Sequence, residues 1–248
     1  MVHQEHSPFG TVFVVDEGDV RTLRFDSPEG HAQSMLLKSN PLAVPASYVR
    51  VATAGLAFTT GRSRALVVGL GGGAFPLLLG RCLPRMVVDV VELNPVVVDV
   101  ARRFFGVRDS HSLRLHVEDG AHFMRRRRRP GYDIILLDAF SQEGTPEHLQ
   151  EPAFFEDVLG RLAPGGAAVI NIALDAPENK EHLFETFART FAHHALLRGA
   201  SESANLLGVG ALEPMPSEPV FRQHLWRLER ELGFPGLSQS VTSFEPST

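Results

Sequence analysis

Five short apolar-rich runs, four of which stop at a glycine or an acid, alternating with helical stretches constrain this chain more than any other feature. The runs cover 65–68, 86–91, 113–117, 132–137 and 167–172, and the helical stretches between them cover 75–82, 95–105, 120–128 and 152–162. Runs of this length suit strands buried on both faces, and their alternation with helices predicts a parallel sheet. The expected fold is therefore α/β, a doubly wound (Rossmann-like), mainly parallel sheet. No run approaches the roughly 20 apolar residues of a membrane helix, so no membrane association is expected.

The first 45 residues have a different rhythm. The stretches 11–15, 20–25 and 33–37 are β-prone, with turn signals at Asp16-Glu17-Gly18-Asp19 and Asp26-Ser27-Pro28-Glu29-Gly30. This predicts a small antiparallel β meander at 1–45, ahead of a wound domain at 46–248. A helix is expected over 45–58, with Pro45 in its first turn. Beyond the central repeat, the pattern predicts a helix over 181–191, a strand over 204–211 and a helix over 219–232. The Ser/Thr-rich tail, 238–248, reads as a frayed or draped end.

The chemistry concentrates at the ends of the runs. Val67-Val68-Gly69-Leu70-Gly71-Gly72-Gly73-Ala74 places a glycine turn directly after one strand and before a helix, where backbone can approach a ligand closely. Glu92 ends the next strand, 92 − 73 = 19 residues past the last glycine. An acid at that distance can accept both ribose hydroxyls. Glu118-Asp119-Gly120 and Asp138 follow the next two strands. Ligands of open α/β sheets sit at such carboxyl ends, so the turn and the three acids converge on one nucleoside site. A G-x-x-x-x-G-K-[ST] loop is absent, which excludes an ordinary P-loop nucleotidase, while a dinucleotide site shares the glycine turn and acid.

In order, the glycine turn, Val90-Val91-Glu92-Leu93-Asn94-Pro95, Glu118-Asp119-Gly120, Leu136-Leu137-Asp138-Ala139-Phe140 and Leu162-Ala163-Pro164-Gly165-Gly166 resemble the spermidine synthase family, a branch of the class I S-adenosylmethionine-dependent methyltransferase fold. Gln33-Ser34 and Tyr48 also resemble that family's entry region. The resemblance implies that Glu92 holds the ribose, Asp119 with Gly120 the adenine, and Gly69, Gly71 and Gly73 the amino-acid or propylamine part. It places Gln33 beside the nucleoside, and it implies a homodimer.

The departures from the family pattern matter as much. The aspartate of the polyamine-forming turn falls on Gly72, the second aspartate of D-x-x-D falls on Ser141, and the Tyr-His-Glu triplet becomes Tyr48-Val49-Arg50, which puts a cation near the place of an anion. Burying a polyamine ammonium without an opposite charge costs several kcal/mol, roughly, so these losses disfavour a polyamine acceptor. Intact S-adenosylmethionine carries a carboxylate that an aspartate in the turn would repel, and decarboxylated S-adenosylmethionine lacks it. The expected activity is therefore methyl transfer from the intact donor to an acceptor the sequence does not identify. Asp138 is the candidate base or orienting group, unless it caps the next element, and Tyr48 shapes the acceptor side. An aminopropyltransferase using the decarboxylated donor, and a non-catalytic nucleoside-binding protein, are the alternatives.

Composition adds exclusions. The charge of −5 over 248 residues does not suit a general nucleic-acid binder. The run Arg125 to Arg129 reads as a solvated helix end whose cations meet the dipole. His193 and His194 are expected on different helix faces, the other histidines lack ligand spacing, and no metal site is expected. A lone cysteine, Cys82, reads as packed, and fits a reducing compartment. With a polar N-terminus, this suggests a cytoplasmic location. Arginine outnumbers lysine 22 to 2, Lys38 and Lys180 being the lysines.

Overall fold

The structure, a computed structural model, describes residues 1–247 except 41–46, 127–130, 141–143, 173–179 and 200–205. The boundary expected at 45, together with Pro45, Ser141 and Arg127 to Arg129, lies outside the described residues.

Four strands form the N-terminal sheet: β1 (His3–Ser7), β2 (Gly10–Glu17), β3 (Val20–Phe25) and β4 (Ala32–Leu37), paired antiparallel in sequence order. The expected meander thus gains a leading strand. The polar alternation of β1 hides it, because only the partner face of that strand is covered.

A helix α1 (Ser47–Ala54), extended by a 3-10 turn (Gly55–Phe58), leads into the larger sheet. Five of that sheet's strands run parallel: β5 (Arg64–Val68), β6 (Val87–Glu92), β7 (Leu113–Val117), β8 (Tyr132–Leu137) and β9 (Leu162–Ile172). Their spatial order is β7-β6-β5-β8-β9, so the winding reverses beside β5. The helices between them are α2 (Ala74–Cys82), α3 (Pro95–Phe104), α4 (Gly120–Arg125) and α5 (Pro152–Leu159). Alternate residues of one strand serve opposite faces. Ala65 and Val67 pack with α2 and α3, whereas Leu66 and Val68 pack with α4 and α5. This double burial is why β5 and most of β6 and β8 read as apolar runs, whereas the edge strand β7 alternates with Arg114 and His116.

The edge of the sheet differs from expectation. After α6 (Lys180–Thr190), the chain forms β10 (His193–Gly199), β11 (Leu206–Ala211), α7 (Glu218–Leu232), the short α8 (Leu237–Ser240) and β12 (Val241–Pro246). The order β12-β10-β11-β9 adds three antiparallel pairings. His193 and His194 therefore lie on a strand rather than a helix, with alternating side chains. Pro164-Gly165-Gly166 is no turn between elements but an irregular part of β9, where the register against β8 shifts. The helix expected over 120–128 ends at Arg125, and the one expected over 152–162 ends at Leu159.

The tail is neither frayed nor draped. Val241 and Phe244 are buried, and the Phe244 ring lies 4.4 Å from that of Phe221, which in turn lies 4.9 Å from that of Phe58. Glu229 on α7 ties the tail down by accepting the Gly236 and Ser238 N–H groups and the Ser238 hydroxyl. These bonds hold its carboxyl below the usual range. Arg50 reaches the same region, over the Phe234 ring and donating to the Pro235 carbonyl, and it does not enter the acceptor side as the sequence suggested. Phe244→Ala should cost about 3–5 kcal/mol of stability, because the cavity lies inside a three-ring stack. Equilibrium urea unfolding measures this, and a loss below 1 kcal/mol would show that the tail is not part of the core.

Candidate active site

The carboxyl ends of β5, β6, β7 and β8 open into a cavity of about 440 Å³. Its volume falls in the range of small-molecule sites. The winding reversal beside β5 leaves this gap, because the helices that follow β5 and β8 leave the sheet on opposite faces. The meander roofs it: Pro8, Phe9, Phe25, Asp26 and Gln33 all line the cavity. The sequence pointed to Gln33 alone among these, because no periodicity records how two sheets stack.

The glycine turn builds one wall. Gly69 has φ +96°, and a Cβ there would lie 2.2 Å from the Asp138 carbonyl oxygen. Only glycine permits β5 and β8 to end this close together. Gly69 and Gly71 line the cavity, whereas Gly73 sits behind it, at the start of α2. Gly73 is thus a structural glycine here, despite the contact expected of it. Gly72 is buried too, and a Cβ there would lie 2.6 Å from the Ser34 hydroxyl and 2.8 Å from the Phe105 ring.

Glu92 closes the turn. Its carboxylate accepts the Leu70 N–H at 2.9 Å and the Asn94 N–H at 2.8 Å. Burial raises its pKa, partly offset by these backbone bonds. Asn94 caps α3 by accepting the Val96 N–H at 3.0 Å, and its amide donates to Ser7 of the meander at 3.0 Å. The capping residue thereby joins roof to floor.

Asp119 caps α4, accepting the His122 N–H at 2.8 Å, and its other oxygen meets His148 Nε2 at 2.8 Å. Burial pushes its carboxyl up, but the His122 and His148 bonds outweigh it and leave the pKa lowered. Gly120 lines the cavity beside it and lies tightly against Val68. His148 belongs to the loop after β8, and its part in the site was not legible from the sequence. Glu118 also lines the cavity and is paired with Arg126, which lies 5.7 Å from the Phe123 ring centroid. That arginine pairs with the protein while staying partly exposed, and Arg125 before it is exposed, as a solvated helix end requires.

Among the described residues Asp138 caps no helix. Its Oδ1 accepts the Asn171 amide at 2.7 Å, and the Tyr48 hydroxyl donates to the same carboxyl group. Burial raises its pKa to about 7, aided by the Glu92 charge and opposed by the Asn171 and Tyr48 bonds. Burial, with Asp138 beside it, keeps the Tyr48 phenol well above its ordinary value, so Tyr48 acts as a neutral donor. Both residues line the cavity, as the sequence reading requires. Asn171 at the end of β9 was missed. Cys82 ends α2, half-buried, and burial raises its thiol pKa.

A wound sheet with a glycine turn, a strand-end acid and a buried carboxyl of shifted pKa defines a nucleoside-dependent transferase of methyltransferase-like fold. The comparisons specify it. Residues 51–197 match the model of the spermine/spermidine synthase domain. A polyamine aminopropyltransferase of Vibrio vulnificus is 30% identical over 227 residues, which cover 90% of this chain and 76% of the relative. The chain belongs to the spermine/spermidine synthase family, and it is an enzyme, a transferase. The structure of human methyltransferase-like protein 13 in complex with SAH matches with a TM-score of 0.67 at 26% identity, covering 76% of this chain and 93% of that one. A probable spermidine synthase from Corynebacterium glutamicum has the same fold, with a TM-score of 0.77 at 19% identity, covering 99% and 90%.

Proposed function

We propose that this enzyme transfers the methyl group of intact S-adenosylmethionine to an amine acceptor. The observation that carries the reading is that the glycine turn presents no acid: Gly72 is packed beside Ser34 and Phe105, and any side chain there would have to displace one of them. A donor that keeps its own carboxylate therefore meets no acid from the turn.

The residues present fit such a donor. Glu92 would accept the ribose hydroxyls, Asp119 with Gly120 would meet the adenine, and Gly69 and Gly71 would lie along the amino-acid part. Gln33 would close over the nucleoside from the roof. When bound, the donor supplies an electrophilic carbon on a sulfonium, which leaves as a neutral thioether. The chain supplies the proton chemistry. Asp138 takes one proton from the acceptor ammonium, which frees the nitrogen lone pair for attack. A carboxyl with a pKa of about 7 can hold that proton and release it near neutral pH. Tyr48, donating to Asp138, fixes the direction in which the carboxyl presents its free lone pairs.

One observation favours a second reading, aminopropyl transfer from the decarboxylated donor. Asp26, Glu92, Glu118, Asp119 and Asp138 line the cavity, and no lysine or arginine does so among the described residues. Such a lining attracts cations. Calorimetric titration with each nucleoside separates the two. Intact S-adenosylmethionine is expected to bind at least about ten-fold tighter, a difference of about 1.4 kcal/mol. Tighter binding of the decarboxylated form would overturn the methyl-transfer reading.

A further inference from the structure

β9 is apolar and buried along most of its length, with Ala167, Ala168, Val169, Ile170 and Ile172 each at 2% exposure or less. Asn171 interrupts this run at 3% exposure. Its Nδ2 donates to Asp138 Oδ1 at 2.7 Å, and its own Oδ1 has no hydrogen-bond partner among the described residues. An unsatisfied buried acceptor destabilises a fold, whereas an apolar residue of similar size would not. Packing alone therefore does not account for an amide here. The end of the side chain that is satisfied points to its use.

We propose that Asn171 is a positioning residue for proton transfer, holding the Asp138 carboxylate so that it is available as a base at neutral pH. Three observations converge. The amide donor meets the carboxylate oxygen directly, at a distance typical of a charge-assisted bond. The other groups acting on Asp138 are Tyr48 from α1, which donates to it, and Glu92 from β6, whose charge opposes its ionisation. No lysine or arginine lines the cavity among the described residues, so neutral donors do the work that a cation does elsewhere. Without Asn171, one of the two side-chain donors is lost while burial and Glu92 remain, and the carboxyl stays protonated to higher pH.

The inference rests on the transferase reading for its purpose but not for its test. In the full-length protein with 13C-labelled aspartate, the Asp138 carboxyl resonance, assigned by its loss in Asp138→Asn, is titrated directly. Asn171→Leu should raise its midpoint by about one pH unit. Asn171→Asp, which keeps the shape but replaces the donor with a second carboxyl, should raise it further. The acidic limb of the kcat profile should move with the resonance while donor KM stays unchanged. Unmoved resonances in both variants would overturn the proposal, as would a uniform fall in kcat with the limb in place. A shifted resonance, with the acidic limb moving in step, in a protein that transfers a group other than methyl would uphold the proposal and sink the methyl-transfer reading instead.

Discussion

Asp138→Asn should lower kcat by about 10²–10⁴-fold, the usual worth of a positioned general base, while leaving donor affinity unchanged. The acidic limb of the wild-type kcat profile, with its midpoint near 7, should disappear in the same variant. The stability consequence runs the other way. The folded-state pKa of about 7 lies above the ordinary 3.8, so the folded chain binds the proton more tightly than the unfolded one between those values. Stability therefore falls as pH rises from about 4 to 7, and the penalty is fully present above 7. The penalty is at most about 4 kcal/mol, three pKa units at about 1.4 kcal/mol each. At pH 8 the Asn variant should melt several degrees higher than wild type, and at pH 4 the gap should close. Thermal unfolding at the two pH values, run beside turnover, checks both halves. Unchanged turnover would remove Asp138 from the chemistry, and a variant less stable at pH 8 would contradict the buried-carboxyl account.

Glu92→Ala should weaken nucleoside binding by about 10²–10³-fold. Two ribose hydroxyls would lose a charged acceptor, and each such bond is worth about 1.5–3 kcal/mol. The damage extends further, because Leu70 and Asn94 lose the partner of their N–H groups. The glycine turn would keep only the Gly69 N–H bond to the Val91 carbonyl as its tie to β6, and some of the affinity lost would reflect a turn held less firmly for the ligand. Glu92→Gln retains an acceptor oxygen and should fall between wild type and Ala. Calorimetry on the three proteins orders them, and equal affinities would mean that Glu92 is a structural latch alone.

The contrast between these residues and Asn171 shows what a sequence displays. Glu92, Asp119 and Asp138 announce themselves because each stands at or just past the end of a β-prone run in a strand–helix alternation, and ligands of such sheets sit at those carboxyl ends. Asn171 stands near the end of such a run as well, but an amide in a strand has no spacing rule, and its meaning lies in a contact across 33 residues. The roof was legible as strands but not as a roof: Phe25 ends a strand like any half-buried residue, and Phe9 is exposed in the turn between β1 and β2. Arg50 was placed by analogy with an anion in the family pattern, and its stacking on Phe234 depends on how the segment after α7 folds back, which no spacing records. The tail itself misled because Val241 and Phe244 are separated by polar residues, and pairing with β10 uses their backbone.

The ring stack at the tail carries a consequence for how the chain is made. Phe58 and Phe244 stand 244 − 58 = 186 positions apart, yet their ring centroids lie 5.9 Å apart. A contact of such long sequence separation forms late and slowly. During synthesis, Phe58 and Phe221 must wait for Phe244 to emerge before their shared core closes. A nascent or prematurely terminated chain would present those rings to chaperones and proteases, even with every residue of the nucleoside cavity already translated.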